Sequence, residues 1–107
     1  MPFVDVAALH RFAPEKMQKI GLAETDDLFC DIYCLEPGQE QKPHTHDDAT
    51  KLYYVLEGTG SFLSGDEKRD LSPGSLTWAP PGVPHGIRAT DRLVVLAIMS
   101  PNPNRKG

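Results

Sequence analysis

The sequence has little of what marks membrane, nucleic-acid-binding or disulfide-stapled chains. Its longest apolar run, Leu93 to Met99, is seven residues, far short of the roughly 18 that suggest a membrane span. The opening Met-Pro-Phe-Val-Asp-Val has no basic segment followed by an apolar signal core. No block of one charge occurs: 11 basic residues against 15 acidic give a net charge of −4, so neither a nucleic-acid nor a membrane partner is expected. Cysteine is scarce. Cys30 and Cys34 stand four residues apart in one strand-like segment, where a rise of about 3.3 Å per residue separates them by roughly 13 Å, too far for a disulfide. Reduced, buried thiols follow, and with them a cytoplasmic setting.

Helical periodicity is also nearly missing, and turn residues are plentiful. The ten prolines and nine glycines in 107 residues fall mainly between short segments of period-two apolar alternation. Residues 1–27 are the least regular. There Val4 and Val6 can begin an edge strand, Ala7 to Phe12 a helical turn, and Pro14 can start a helix over Glu15 to Lys19. His10 reads as a surface or packing residue, and Met17 and Met99 as core candidates.

From Leu28 the pattern is strand. Cys30, Ile32 and Cys34 share one face, and Phe29, Asp31, Tyr33 and Leu35 the other, up to the turn at Glu36-Pro37-Gly38. Lys51 to Glu57 follows and ends at Gly58-Thr59-Gly60. Ser61–Leu63 and Lys68–Leu71 frame a hairpin turn. Strands over Ser75–Ala79, His85–Ala89 and Arg92–Met99 are separated by Gly- and Pro-rich turns. Such spacing predicts a single all-β domain, an antiparallel sandwich or barrel.

Between the first two strong strands lie His44 and His46. In an extended chain residues i and i+2 share a face, so these two imidazoles are expected side by side on one strand. Gly38, five residues, His44-Thr45-His46, and after a further spacer Gly58, resemble the first motif of the cupin superfamily. Gly74, five residues, Pro80, Gly82 and His85 resemble its second.

The chain is thereby similar to a small single-domain cupin. The resemblance implies a double-stranded β-helix of jelly-roll type, often a homodimer. It also implies a divalent transition metal (Zn, Fe, Ni or Mn) held by His44, His46 and His85. On this reading residues 1–27 form an N-terminal extension packed on the barrel, 28–100 the barrel and 101–107 a flexible tail.

Lys51 stands where the first motif usually has a glutamate. An ammonium cannot coordinate a metal, and beside a cation its pKa falls. It can be neutral and act as base or ligand. It can pair with Glu40, Asp47, Asp48 or a substrate carboxylate, the option favoured because an anion balances both cations. The pocket can have lost its metal, or Lys51 can point outward in a surface ion pair. By strand alternation Lys51, Tyr53 and Val55 face inward, and Leu52, Tyr54 and Leu56 outward as a candidate dimer face. Lys51 and Tyr53 are the candidate catalytic residues, Tyr53 as one that orients a substrate, although packing is the commoner role for a strand tyrosine. Trp78 is read as a pocket-mouth, dimer-contact or packing residue.

Three functions are compatible: a metal-dependent enzyme acting on a small carboxylate or carbonyl compound, a non-catalytic cupin binding a small anionic or sugar-like ligand, and a dimerising structural domain.

Overall fold

The computed structural model describes residues 2–104. Nine strands run in chain order: β1 (Gln18–Glu24), β2 (Phe29–Leu35), β3 (Glu40–His44), β4 (Thr50–Glu57), β5 (Gly60–Ser64), β6 (Glu67–Leu71), β7 (Leu76–Ala79), β8 (His85–Ala89) and β9 (Leu93–Ser100). They form two sheets, ordered β1-β2-β9-β4-β7 and β3-β8-β5-β6. All pairings are antiparallel. The crossovers and the two facing sheets make the predicted double-stranded β-helix.

Both sheets supply one core. Tyr33, Leu35, Tyr53, Val55, Leu93, Val95 and Ala97 from the five-stranded sheet meet Phe62, Ile87 and Ala89 from the other. Burying each large apolar side chain contributes roughly 1.5–3 kcal/mol, and these residues fill one end of the barrel. Toward the other end the interior carries buried polar groups, Lys51 and His85. Outside the five-stranded sheet a second cluster forms on Ile32, Cys34 and Val94, with Val6 and Phe12 of the N-terminal segment packed against it together with Ile20, Leu22, Leu56 and Leu96.

The turns explain their glycines. At Gly58 φ is +78°, and a Cβ there would lie 1.9 Å from the carbonyl oxygen of Arg92. Only glycine meets both conditions.

The N-terminal region departs from expectation. No helix covers Glu15 to Lys19. Instead β1 begins at Gln18 and pairs with β2 from Gln18↔Cys34 to Glu24↔Phe29, with an irregularity between Gly21 and Ala23. The ladder to β2 outweighs a short segment's weak helical preference. Val4 and Val6 make no edge strand, because β1 occupies that edge, and the helical turn expected over Ala7 to Phe12 is a shorter 3-10 turn, Val6–Leu9. His10 pairs with Glu57 at 3.1 Å.

Asn102, in the expected tail, is buried. Its Nδ2 donates to Glu24 Oε2 at 2.8 Å and to the Thr25 carbonyl at 2.9 Å; residues 105–107 lie outside the described part. Among the described residues no helix is long and apolar enough to cross a membrane.

Candidate metal centre

The site is assembled where β3 runs beside β8. Gln41 pairs with Ile87, but His44 pairs with His85, so β3 has one residue more than β8 over this interval. The extra residue is a bulge at Lys42-Pro43, a natural place for proline because it has no N–H to offer the ladder. Gln41 faces the interior, where its Oε1 accepts from the Tyr53 hydroxyl. Regular alternation from Gln41 would turn His44 outward. The bulge turns it inward.

Gly86 lets the two strands approach, since a Cβ there would lie 2.9 Å from the Gln41 carbonyl oxygen. His46 is not on the strand with His44, as expected from spacing; β3 stops at His44. His46 sits just beyond it, where its carbonyl accepts from the Gly82 N–H at 2.8 Å. That bond ties the first histidine motif to the Pro80-Pro81-Gly82 turn that leads into His85.

The three imidazoles converge. One nitrogen from each lies within 4.8 Å of the others, and the ring centroids are 4.3 Å (His44–His85), 5.0 Å (His44–His46) and 5.3 Å (His46–His85) apart. His44 Nδ1 lies 2.8 Å from the Lys42 carbonyl oxygen and His85 Nδ1 3.1 Å from that of Val83. A carbonyl only accepts, so each Nδ1 donates, which makes Nε2 the atom that offers a lone pair in the neutral ring.

His46 Nε2 and His85 Nε2 are buried without a hydrogen-bond partner. A buried unsatisfied acceptor costs about 1–3 kcal/mol. Burial also pushes His85 down to about 4, the Val83 carbonyl opposing and His44, Lys51 and His46 adding to the effect. Burial first, and His44 and Lys51 next, lower His46 in the same direction. The neutral imidazole is the form that coordinates a metal, and an all-nitrogen set of three suits a divalent transition ion and leaves positions open. The residues fit the metal. Among the described residues this is the histidine, cysteine and carboxylate grouping that could hold one, and His10 is not in it.

Lys51 faces inward, not outward to a surface partner, and is 2% exposed. Its Nζ donates to Tyr33 Oη at 2.7 Å and lies 5.0 Å, 5.5 Å and 5.5 Å from the ring centres of Tyr33, Tyr53 and Phe29. Burial, helped by Lys19 and opposed by Asp31, brings it down to about 8. Glu40, one of the expected partners, pairs instead with Arg88 at 2.8 Å. The acid whose charge acts on Lys51 is Asp31.

Tyr53 is a packed residue, 1% exposed, against Phe62, Tyr33 and His85. Trp78 is exposed and lines a different groove, with Phe62, Arg69 and Leu76.

A cavity of about 540 Å³ connects the centre to Lys51. Around it stand His44, His46, Gln41, Tyr33, Asp31 and Lys19, with Phe29 and Met99 supplying apolar surface. Asp31, Tyr33, Gln41 and Lys19 were not singled out from the sequence. Asp31 carried a usable signal: it is the lone acid on a strand face otherwise made of Phe29, Tyr33 and Leu35.

Comparison with known proteins agrees with this geometry. A protein from Thermus thermophilus superposes with a TM-score of 0.92 at 39% identity, covering 96% of this chain and 100% of that one. The 5-nitrosalicylic acid 1,2-dioxygenase of a Bradyrhizobium species is 33% identical over 70 residues, 65% of this chain and 33% of its own. A dimethylsulfoniopropionate lyase of Ruegeria pomeroyi is 33% identical over 73 residues, 67% of this chain and 36% of its own. The chain therefore spans about a third of the length of each of these two enzymes. The family model for the cupin domain matches residues 31–99, a stretch that holds both histidine motifs and the whole of strands β3 to β8, and on that match the chain belongs to the cupin family.

Proposed function

We propose that this cupin holds a divalent transition metal (Zn, Fe, Ni or Mn) on His44, His46 and His85, and that its cavity binds or acts on a small carboxylate or carbonyl compound. The observation that carries the reading is the pair of buried, unpartnered imidazole nitrogens of His46 and His85, in a three-histidine cluster whose His44 and His46 line the same cavity as a buried lysine. Lys51 and the metal would place two positive centres in one partly apolar space, and an anionic ligand neutralises both. A bound ion of this kind supplies Lewis acidity toward a carboxylate or carbonyl oxygen. Lys51 orients the ligand's anionic end, Tyr33 and Gln41 hold the surrounding hydrogen bonds, and Phe29 and Met99 keep water from one wall.

The compounds for which the two enzyme relatives are named, 5-nitrosalicylic acid and dimethylsulfoniopropionate, are both carboxylates, which supports the ligand class without fixing the reaction. The same pocket serves the alternative of a non-catalytic cupin for a small anionic or sugar-like ligand; the fold hosts both roles. Elemental analysis of protein purified without added metal tests the centre. About one equivalent per chain is expected, lost in His85→Ala. An empty parent overturns the reading. For the ligand, Lys51→Met is expected to keep the metal and weaken propionate binding at least about tenfold; unchanged binding makes Lys51 peripheral.

We also propose a homodimer, seated on the outer face of the five-stranded sheet. Leu52 and Tyr54 pair in register with Trp78 and Leu76, and Tyr54, Leu76 and Trp78 are exposed. Leu56, expected in that interface, instead packs in the cluster that contains Val6 and Phe12.

A further inference from the structure

The inward face of β2 presents one carboxylate, Asp31, to the cavity that Lys51 shares with His44 and His46. Lys51 directs its hydrogen bond to Tyr33, and among the described residues Asp31 has no hydrogen-bond or ion-pair partner. The other acid at the cavity, Glu24, is engaged by Asn102 at 2.8 Å. Directly across the ladder from Asp31 stands Gly21. A Cβ at Gly21 would lie 3.7 Å from Asp31 Oδ1, so a longer side chain there would cover the carboxylate. Glycine leaves it open.

We propose, resting on the metal and carboxylate reading above, that the ligand is a small hydroxy acid whose carboxylate sits at Lys51 and whose hydroxyl donates to Asp31, making Asp31 the residue that determines specificity. Asp31 is not one of the buried, unsatisfied atoms; with no donor on it among the described residues, its carboxylate stands open on the cavity, and a ligand hydroxyl is a donor it can accept from. The donor is neutral rather than cationic because Lys19 and Lys51 already act on Asp31 from two sides, and a third positive group between them would be repelled.

The test is calorimetric titration of the protein as purified with matched pairs, L-lactate against propionate and salicylate against benzoate. The hydroxy member of each pair is expected to bind about tenfold more tightly. Asp31→Asn should cut that preference below about threefold, whatever the change in propionate affinity that follows from removing a charge near Lys51, with metal content retained. Gly21→Val should likewise reduce the hydroxy preference, because its side chain covers Asp31; a preference left intact by it counts against Asp31 as the reader. Equal binding within pairs by the parent overturns this proposal alone. So does a preference that survives Asp31→Asn, since the hydroxyl is then read by another group. Failure of every acid to bind the parent, with metal present, overturns the carboxylate reading and this proposal with it.

Discussion

At the scale of single residues, Lys51 is the position where burial and chemistry conflict most. Its amine is held down to about 8, against an ordinary value near 10.4 in an unfolded chain. Between those values the unfolded state binds the extra proton, so stability rises with pH across the window; below about 8 both states are protonated and the full desolvation cost is present. Chelator-treated parent should therefore gain stability from pH 8 to 10, and Lys51→Met should not show that gain. Paired melts across this range check the sign, and a flat parent profile would mean the amine is well solvated. Gly58 gives a second expectation. Gly58→Ala combines a left-handed φ with a clash on the Arg92 carbonyl, and should cost about 2 kcal/mol or more, seen as a fall in Tm of roughly 10 °C.

At the scale of elements, the outer face of the five-stranded sheet carries the assembly prediction. Sedimentation velocity should show a dimer for the parent and a monomer for Leu76→Asp/Trp78→Asp, with the fold retained because both side chains are exposed. A monomeric parent would remove self-association from this face. The alternating strands from β2 onward were legible because period two leaves a direct mark when one or both faces are buried. β1 was not legible. Its sequence Gln-Lys-Ile-Gly-Leu-Ala-Glu has few β-branched residues, and only pairing with β2 makes it a strand.

The histidine pair was visible as a spacing, but its geometry was not. His44 faces inward because of a one-residue bulge, and a bulge depends on the partner strand, which spacing along one chain does not contain. For the same reason the inward direction of Lys51 was readable from alternation, whereas its neighbour Asp31 needed β2 to be laid against β1 and β9.

At the scale of the whole molecule, the centre joins the two sheets. His44 and His85 come from the four-stranded sheet, while Lys51, Tyr33 and Asp31 come from the five-stranded one. Metal binding only to the folded state adds stability by mass action, about 4 kcal/mol at a thousandfold excess over Kd. Chelation is therefore expected to lower Tm by more than about 10 °C in the parent and to leave His85→Ala unmoved; an equal response in both would place the metal elsewhere.

The division between sheets has a further meaning for how such a site can change. The bulged β3–β8 ladder fixes His44 and His85 without help from β1 or β2, whose inward side chains line the cavity of the proposed ligand. Substitutions at Gly21, Asp31 or Lys19 can then retarget the cavity while the metal geometry stays as it is. On the proposed reading that barrel end is two separable modules, a fixed anchor on β3 and β8 and an exchangeable reader on β1 and β2.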